Sequence, residues 1–596
     1  MNAAAITTSG VITNSQTWMG VVSLTGDVTV ATNGNLTILP GTRVRCDARA
    51  DDQVGGLNNS RIEILVLPGG VLTAVGTETT PILFTSWPLT PGQETNGDWY
   101  GLRLASTNAT LQYCTIEYAM TGLSIEDGPP MVDHCVMRNS EGSGLSASVS
   151  GEASNCTFTQ NRGAGAYLSG ASFAFYDSMS SSNSGAGISV YYTATSITCS
   201  NCTVSFNNAG VVGYSGFIRF INGRINNNTG NGLSGGPGSI TVIGSDIFHN
   251  GIDGGFYTTS TYGIEARGDL TLFNSQVRDC SGGGIYIYAD STIVVSNTVL
   301  KNNQGIGGMA GSSRYGVMNC SILSNSITGN SVGSSISGGT ISYVGNLIQG
   351  NNFGLQAGGT QVITNNLIFG NVTYDLQNNG AVTQIADGNY WGEPTTTELA
   401  NGVRNLTKIY DSRDQVGLGQ VVIHTWDATP NGVLVAPSIA IQPQNLAAPL
   451  GGGAAFSVLA GGSPPLFYQW TRDGAPVLHA TNFSLALGTV TTTNLGGYQV
   501  VITNSYGSVT SVLATLTQAV AASVPVLGAQ LFAGLTLGGE VGRNYTIQYT
   551  FDLHPGAGLI NWTALTTLVL PSSPFTYIDL TAPVDRPRFY RAFLSP

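Results

Sequence analysis

The chain carries little charge, and very little of it comes from lysine. Asp, Glu, Lys and Arg make up 9% of the 596 residues, and the formal net charge is −12. Lysine occurs only at Lys301 and Lys408. A nucleic-acid partner needs a basic face to neutralise its phosphates, so this balance argues against one. Low charge with abundant Gly, Ser and Thr could indicate disorder, but 42% of the residues are hydrophobic, which favours a packed protein.

Long apolar runs are also absent. No stretch approaches the roughly 18 apolar residues that a membrane helix needs, so we expect no membrane span. The first residues, Met-Asn-Ala-Ala-Ala-Ile-Thr, lack the basic region and apolar core of a signal peptide. The Thr-, Ser- and Asn-rich, lysine-poor composition is nevertheless typical of extracellular proteins. We therefore expect a secreted or cell-surface protein whose signal was removed ahead of Met1.

Familiar catalytic and metal motifs are missing. There is no GxSxG elbow in a strand–turn–helix context, no Walker loop and no HExxH. The single CxxC, Cys199-Ser-Asn-Cys202, has no second CxxC or histidine motif after it, which argues against zinc. Cys114, Cys135 and Cys156 recur every 21 residues and should stack. A disulfide or metal site is the functional interpretation of that stack, and we favour a column of small buried side chains.

The sequence does contain a repeat of 21 to 23 residues, from about Tyr100 to about Gly308. A glycine followed by an apolar residue marks it at Gly101, Gly122, Gly144, Gly165, Gly187, Gly210 and Gly232. A period of this length indicates a solenoid. Short alternating segments such as Cys135-Val-Met-Arg, without a helical period, predict that each coil is strand, turn, strand.

Turn residues separate these predicted strands. The glycine suits either a positive φ or a close backbone approach. An asparagine, or once an aspartate, comes a few residues before the glycine at Asn139, Asn161, Asn183, Asn207, Asn228, Asn250, Asp279 and Asn303. Stacked coils place like residues above one another, so Asn139, Asn161 and Asn183 should form a side-chain ladder.

This repeat, with its Asn turn and Gly-apolar strand, resembles the right-handed parallel β-helix of the pectate-lyase-like superfold, over residues 1–430. The resemblance implies a secreted bacterial protein but not an activity. Gly388-Asn-Tyr-Trp-Gly392 and Ile409-Tyr-Asp resemble the segment that folds over the last coil of many such proteins. We expect Trp391 to plug that cap rather than to bind sugar.

Composition changes after Pro437. Trp470 and Tyr498 stand where an immunoglobulin-like domain has its core tryptophan and tyrosine corner, although Val500 replaces the usual cysteine. We therefore predict an all-β chain: a right-handed parallel β-helix over residues 1–435, an immunoglobulin-like sandwich over 436–518, and a further β-sandwich over 519–596.

A stripe of polar and aromatic side chains is the first candidate site. Because side chains alternate along a strand, Glu265, Arg267, Tyr286, Tyr288 and Asp290 should face outward. The repeat glycines align Glu265 with Tyr286 and Arg267 with Tyr288. Tyr191 and Tyr214 should lie at the level of Arg267 a few coils earlier, and an insertion at residues 254–262 precedes the stripe.

The stripe suits a polysaccharide, which offers C–H faces to aromatic rings and hydroxyls to charged groups. For β-elimination, Arg267 could hold a uronate while Tyr288 removes the proton, with Glu265 beside them. A hydrolytic pair of Glu265 and Asp290 would be ~14 Å apart, against the ~5–9.5 Å that hydrolysis needs. The structural alternative is ordinary cross-strand packing of exposed Tyr, Glu and Arg.

A second outward column supplies the alternative site. Its members are Glu117, Arg138, His249, Arg278 and Lys301, of which the last three should form a small basic strip for binding substrate. The sequence identifies no definite cofactor. Calcium is an open alternative, because Asp246, Asp253 and Asp279 recur near one coil position, although no loop motif joins them.

Two functions remain open on sequence grounds. One is a secreted polysaccharide lyase or glycoside hydrolase, favoured by the tyrosine-rich stripe and the insertion. The other is a non-catalytic adhesin or structural surface protein, favoured by the scarcity of paired carboxylates. In either case we expect a monomer with a polysaccharide partner.

Overall fold

Nearly all regular secondary structure of the protein is β-strand. The computed structural model describes residues 6–88, 90, 92–170, 172–191, 195–251, 261–288, 291–313, 318–430, 436–461, 466–478, 480–504, 506–519, 533–537, 540, 542–551, 561–570, 575–579 and 588–595. They form two compact units, 1–519 and 520–596. Within the described ranges, an α-helix spans Thr395–Ala400 and a 3₁₀ helix Thr492–Asn494. Neither is long or apolar enough to cross a membrane.

Each coil of the solenoid contributes a strand to three parallel sheets, numbered here in chain order. Sheet 1 contains Glu63–Val66, Gly101–Leu104, Leu123–Ile125, Leu145–Ala147, Ala166–Ser169, Ala186–Tyr191, Ala209–Gly213, Leu233–Gly235, Ile264–Ala266, Ile285–Ile287, Met309–Ser312, Tyr374–Asn378 and Ile409–Tyr410. Sheet 2 contains Ser15–Trp18, Asn35–Ile38, Val71–Val75, Ala109–Gln112, Met131–Asp133, Gly151–Ser154, Ser172–Tyr176, Ser196–Ser200, Phe217–Ile221, Ile240–Ile243, Leu270–Phe273, Thr292–Ser296, Asn319–Leu323, Gln384–Ile385 and Val421–Val422.

Sheet 3 contains Arg43–Asp47, Ile82–Trp87, Cys114–Glu117, Val136–Arg138, Thr157–Thr159, Met179–Ser181, Thr203–Ser205, Arg224–Asn226, Asp246–Phe248, Gln276–Arg278, Val299–Lys301, Ser326–Thr328, Leu347–Gln349, Leu367–Phe369, Asn389–Tyr390 and Trp426–Asp427. Four longer strands each serve two sheets: Ile6–Ile12, Val21–Val30, Val332–Val344 and Phe353–Thr364. All of these strands pair in parallel with the next coil. The predicted parallel β-helix is confirmed.

Alternation along each strand builds one continuous core. In Phe217–Ile221, Ile218 and Phe220 are buried while Phe217 and Arg219 are exposed. The inward residues of successive coils stack and form a single apolar cluster along the solenoid. Burial of this kind is the main stabilising term for a strand too short to persist alone.

The corner between sheets 3 and 1 holds a buried ladder of amides, called here the amide column. Its members are Asn161, Asn183, Asn207, Asn228 and Asn250, continued by Asn303, Asn330, Asn351 and Asn371. Asn139 is not among them, so the prediction that it belongs to the ladder was wrong. The inward residue of that coil is the next one in the chain, Ser140. Asn139 itself has a φ of 55°. Both adjacent positions suit asparagine, which hid the offset.

The repeat glycines are required by close approach. Of the seven marker glycines, Gly101 has a positive φ and the others do not. A Cβ on Gly210 would lie 2.0 Å from the carbonyl oxygen of Gly232, and one on Gly232 would lie 2.7 Å from Nδ2 of Asn250. The glycines therefore make room for the backbone and amide column of the next coil.

The corner between sheets 2 and 3 holds the stacked cysteines, called here the thiol column. Cys114, Cys135 and Cys156 are buried free thiols, as are the other five cysteines of the chain. Later coils keep cysteine at Cys202 and otherwise place Ser178, Gly223, Ser245, Ser275 and Thr298 in the column, followed by Asn325, Asn346, Asn366 and Asn389. Outside this column, burial raises the pKa of Cys280 and of Cys320 to about 12, so these two thiols stay protonated.

The solenoid ends by adding a coil. Ile409–Tyr410, Val421–Val422 and Trp426–Asp427 continue sheets 1, 2 and 3 in parallel register. We had expected this segment to fold over the last coil, and it instead extends the stack. Trp391 has 0% exposure and belongs to the core cluster, as expected for a plug and unlike a sugar platform.

Residues 436–519 form small, mainly antiparallel sheets. One pairs Ser438–Ile441 with Leu459–Gly461, another pairs Ala454–Ser457 with Ser484–Leu487, and a third contains Leu446–Ala448, Ala514–Gln518, Gly496–Asn504, Phe467–Arg472, Ala475–Pro476 and Gly507–Thr510. Trp470 and Val500 are fully buried between them. The Tyr498 hydroxyl donates to Asn494 O at 2.6 Å. Asn482 Nδ2 donates to Gly244 O of the solenoid at 3.4 Å.

Residues 520–596 form a separate unit. Ala533–Leu537 pairs with Phe575–Asp579, and Asn544–Thr550 lies between Thr563–Val569 and Phe589–Leu594. Both sheets are antiparallel.

Candidate functional site

The outward side of sheet 1 carries the predicted stripe, called here the tyrosine face. Its members are Tyr167, Tyr191, Tyr214, Glu265, Arg267, Tyr286 and Tyr288. Glu265 pairs in register with Ser234 on one side and Tyr286 on the other, as the glycine spacing predicted. Tyr191 aligns with Ser169, and the next coil brings Tyr214 beside Tyr191. The structure therefore brings these residues onto one surface.

Glu265 is far more enclosed than an outward position suggests. It is 7% exposed, and both of its carboxylate oxygens are occupied. Oε1 accepts from Arg267 Nε and Nη2 at 3.0 and 2.8 Å, and Oε2 accepts from Asn231 Nδ2 at 2.5 Å. Ser234 Oγ lies at 3.3 Å. The side chain lies on the outward side of the strand, as predicted, but neighbouring polar side chains cover its carboxylate.

Arg267 is held but accessible. Its side chain is 58% exposed, and its guanidinium carbon lies 5.2 Å from the centre of the Tyr288 ring. The hydrogen bonds that Arg267 donates to the Glu265 carboxylate raise the pKa of Arg267 above its ordinary value, so this side chain stays charged. Arg267 can still offer Nη1 to a ligand, since Nε and Nη2 are engaged by Glu265.

Three tyrosines stack along the earlier part of the face. The rings of Tyr191 and Tyr214 are 4.2 Å apart and nearly parallel, and Tyr167 lies 5.0 Å from Tyr191. Tyr214 is 54% exposed. Interaction with the Tyr214 hydroxyl, together with burial, raises the pKa of Tyr191 to about 12. Tyr191 therefore presents a neutral phenol.

A tyrosine outside the prediction supports the later part of the face. Tyr262 is 4% exposed, and its ring lies parallel to that of Tyr286 at 4.7 Å. Tyr286 in turn contacts Tyr288 edge-on at 4.6 Å. Burial and the neighbouring tyrosines raise the pKa of Tyr286. The position just before each repeat glycine points toward the next coil, and that signal could have identified both Tyr262 and Asn231.

Part of the prediction lies outside the described residues. Asp290 and residues 252–260, which include most of the predicted insertion, are not among the residues that the structure describes. The expected separation of Glu265 and Asp290 stays a prediction.

The predicted basic strip needs a correction. Arg278 and Lys301 are paired in register on sheet 3, but the residue aligned with them in the preceding coil is Phe248. His249 is the corner residue that follows, with a φ of 51°, and it is level with Asp279. The offset arises because Asn250 is itself the inward corner residue, whereas Asp279 precedes the inward residue of its corner, Cys280.

Arg278 and Lys301 line a cavity of about 270 Å³ together with Leu466 and Phe467, which follow the solenoid in the chain. Arg278 is bound to Asp246 at 2.8 Å and to Asp279 at 3.0 Å. Two of the three aspartates considered for calcium are thus engaged by one guanidinium, and Asp253 lies outside the described residues. In the described part of the chain, no group of three His, Cys, Asp or Glu side chains is placed to hold a metal.

A family model described as "Right handed beta helix region" matches residues 100–247. This region is a right-handed β-helix. The match agrees with the all-parallel sheets and with the glycine repeat. The β-helix includes Tyr167, Tyr191 and Tyr214, whereas Arg267 and Tyr288 lie beyond the matched residues. No curated protein matches the chain.

Among solved structures, the chain is similar to a titin M4 domain, with 21% identity over 14% of this chain and 97% of that one, at a TM-score of 0.14. A complex of titin M10 with an obscurin-like 1 Ig domain shows 19% identity over 14% of this chain and 95% of that one, at a TM-score of 0.14. Tandem Ig repeats of Dlar show 18% identity over 17% of this chain and 53% of that one, at a TM-score of 0.14. Similarity at these TM-scores carries no conclusion about the β-helix.

Proposed function

We propose that the tyrosine face binds a polysaccharide chain without cleaving it. The observation that carries the proposal is the pair of stacked rings of Tyr191 and Tyr214, 4.2 Å apart, with Tyr214 54% exposed. Tyr288, 51% exposed, adds another ring on the same side of the solenoid. Exposed aromatic rings on rigid strands suit the apolar C–H faces of sugar rings, and their hydroxyls suit sugar hydroxyls.

The ionisable groups of the face favour binding over catalysis. A catalytic carboxylate must be free to exchange a proton, but both oxygens of Glu265 are engaged and the side chain is buried. A tyrosine base works best when its pKa is lowered, so the raised pKa values of Tyr191 and Tyr286 argue against either of these two as a base. These features leave a surface that can form hydrogen bonds and stack.

The test is binding of the full chain to a panel of neutral and acidic polysaccharides. For a bound polymer, Tyr214→Ala and Tyr288→Ala should each weaken binding by about fivefold to tenfold, the effect of losing one aromatic contact. Tyr176→Ala is the matched control, because Tyr176 is a 38% exposed tyrosine on sheet 2. Equal loss in Tyr176→Ala, or no loss in the other two variants, would refute the proposal.

A polysaccharide lyase is the second candidate. The observation that favours it is the 5.2 Å contact between the Arg267 guanidinium and the Tyr288 ring, which puts a cation and a phenol together on the face. The same polysaccharides would be followed for ultraviolet absorbance of unsaturated uronate and, in parallel, for reducing ends. Absorbance that disappears in Arg267→Ala and Tyr288→Phe would establish β-elimination. Reducing ends without absorbance would mean hydrolysis instead.

We further propose a secreted, monomeric protein in which residues 436–518 and 519–596 are spacer modules after the β-helix. The hydrogen bond from Tyr498 to Asn494 and the buried Trp470 support an immunoglobulin-like first module. The start of a second compact unit at Val520 supports the second boundary. A protein built in this way would act as an adhesin. Sedimentation of the full chain as a dimer would contradict the monomer.

A further inference from the structure

An open cleft of about 410 Å³ lies at the corner between sheets 3 and 1, close to the start of the solenoid. Its lining is Arg49, Arg61, Thr95, Asn96, Met120, Glu141 and Arg162. Arg49 and Arg61 flank one insertion of the early coils, while Thr95 and Asn96 belong to another, at residues 86–98. Insertions in a solenoid commonly shape its binding face.

Three guanidinium groups in one cleft stand out in a chain of net charge −12. Arg49 and Arg162 have side chains 61% and 66% exposed. Arg162 contacts Glu141 at 3.0 Å, and Glu141 is 38% exposed. The cleft therefore presents more exposed positive than negative charge.

The carboxylate nearest Arg49 contributes little to the cleft surface. Asp98 lies 3.4 Å from Arg49 Nε, but its side chain is 4% exposed. Its oxygens already accept from Ser86 Oγ at 2.8 Å, and from Thr95 N and Oγ1 at 2.8 and 2.5 Å. Arg49 Nε faces Asp98, and Nη2 donates to Thr95 Oγ1 at 3.2 Å, which leaves Nη1 of this exposed side chain available to a ligand.

Arg61 is fixed without a carboxylate. Its Nε donates to Gly97 O at 2.6 Å, and no ion pair to Arg61 occurs among the described residues. A carbonyl orients the guanidinium without neutralising it, which leaves both terminal nitrogens for an oxyanion. Asn96, whose Nδ2 is held by Ser140 O at 3.2 Å, adds an amide oxygen that can accept from a sugar hydroxyl.

We infer that this cleft binds an anionic saccharide through its carboxylate or sulfate groups. The guanidinium fork matches both oxyanions, and the amide oxygen of Asn96 suits a hydroxyl of the same saccharide. Three arginines are too few for a nucleic-acid surface. The site is separate from the tyrosine face, and it stands whether or not that face binds sugar.

The experiment measures binding of the full chain at low salt to dextran, carboxymethyl-dextran and dextran sulfate, which share one backbone. Binding to either charged polymer and not to dextran is expected, and the two charged arms identify the preferred anion. Arg61→Gln and Arg162→Gln should each weaken Kd by about threefold to tenfold, since each removes a charge-assisted contact. Added salt should weaken binding as well.

Two further variants make the inference falsifiable. Glu141→Gln removes the carboxylate opposed to Arg162, so it should tighten binding about twofold to threefold, an effect that a purely structural role would not produce. Arg219→Gln removes an equal charge from an exposed position on sheet 2 and should leave Kd unchanged. Unchanged Kd in Arg61→Gln and Arg162→Gln, or equal weakening in Arg219→Gln, would overturn the inference. Tyr214→Ala, which affects only the tyrosine face, should bind the charged dextrans normally.

Discussion

The amide column and the thiol column fill the two buried corners of the solenoid with side chains of different chemistry. At each corner the chain turns through a residue of positive φ, and the next side chain points inward. In the amide column, Asn183 Nδ2 donates to Asn207 Oδ1 at 2.9 Å, and the same oxygen accepts from Asn183 N at 3.0 Å. In the thiol column, Cys135 Sγ contacts Asp133 O at 3.2 Å and Leu111 O at 3.5 Å.

The difference lies in what each side chain satisfies. An asparagine bridges coils by accepting from one backbone N–H and donating to a carbonyl, so every member depends on its neighbours. A thiol is a weak donor and behaves mainly as a small hydrophobic group. The amide column should therefore contribute more to stability per residue than the thiol column, and variants in the two columns can test this.

The largest effect is expected from Asn207→Ala. The substitution leaves the Asn183 backbone N–H buried without a partner, and it removes three further hydrogen bonds: from Asn183 Nδ2 to Asn207 Oδ1, and from Asn207 Nδ2 to Ser180 O and to Asn228 Oδ1. Asn183 Nδ2 keeps Phe158 O and Ser180 Oγ as acceptors. One unsatisfied buried N–H, costing roughly 1 to 3 kcal/mol, together with lost hydrogen bonds of roughly 0.5 to 1.5 kcal/mol each, gives a destabilisation of about 4 kcal/mol. Urea denaturation followed by circular dichroism measures it.

The control for that variant is Asn226→Ala, an outward-facing asparagine of sheet 3. It should change the free energy of unfolding by less than about 0.5 kcal/mol, as surface substitutions usually do. Similar losses in both variants would mean that the amide column has no special role.

The pH dependence at the end of the amide column should be the next largest effect. Asn371 donates from its backbone N and from Nδ2 to Oδ1 of Asp375, which is fully buried. Burial raises the pKa of Asp375 from 3.8 to about 6. A carboxyl whose pKa is raised in the folded state stabilises the fold when protonated, and that stabilisation is lost as pH rises through 6.

Lowering the pH from 7 to 4 should thus stabilise the wild type, relative to Asp375→Asn, by up to about 3 kcal/mol. Comparing the two proteins cancels the contribution of Asp27, whose pKa burial also raises to about 6. The measurement is the urea midpoint of both proteins across pH 4 to 7. Parallel pH profiles would show that Asp375 is ionised without cost at the end of the column.

Sequence reasoning could predict the fold because the same strand and turn pattern recurs in every coil of the stack. The spacing of Gly210 and Gly232 already encodes the coil, and it also gave the pairing of Glu265 with Tyr286. It failed where a turn asparagine or aspartate suits either of two adjacent corner positions: Asp279 precedes the inward Cys280, so Arg278 aligns with Phe248 and not with His249. It also missed the burial of Glu265, since Asn231 belongs to the preceding coil and reaches the carboxylate only in three dimensions.

The smallest effect, and the one that completes the comparison, is expected from Cys135→Ala. Its thiol is fully buried but makes only weak contacts with two carbonyl oxygens. Removing the sulfur should cost about 1 kcal/mol, comparable to deleting one buried methylene group. Denaturant unfolding of this variant and of Asn207→Ala, measured side by side, gives the ratio of the two losses in the free energy of unfolding. A loss near 4 kcal/mol would show that the thiol column bridges coils as strongly as the amides do, and that the later change from cysteine to Asn325 brings no added stability.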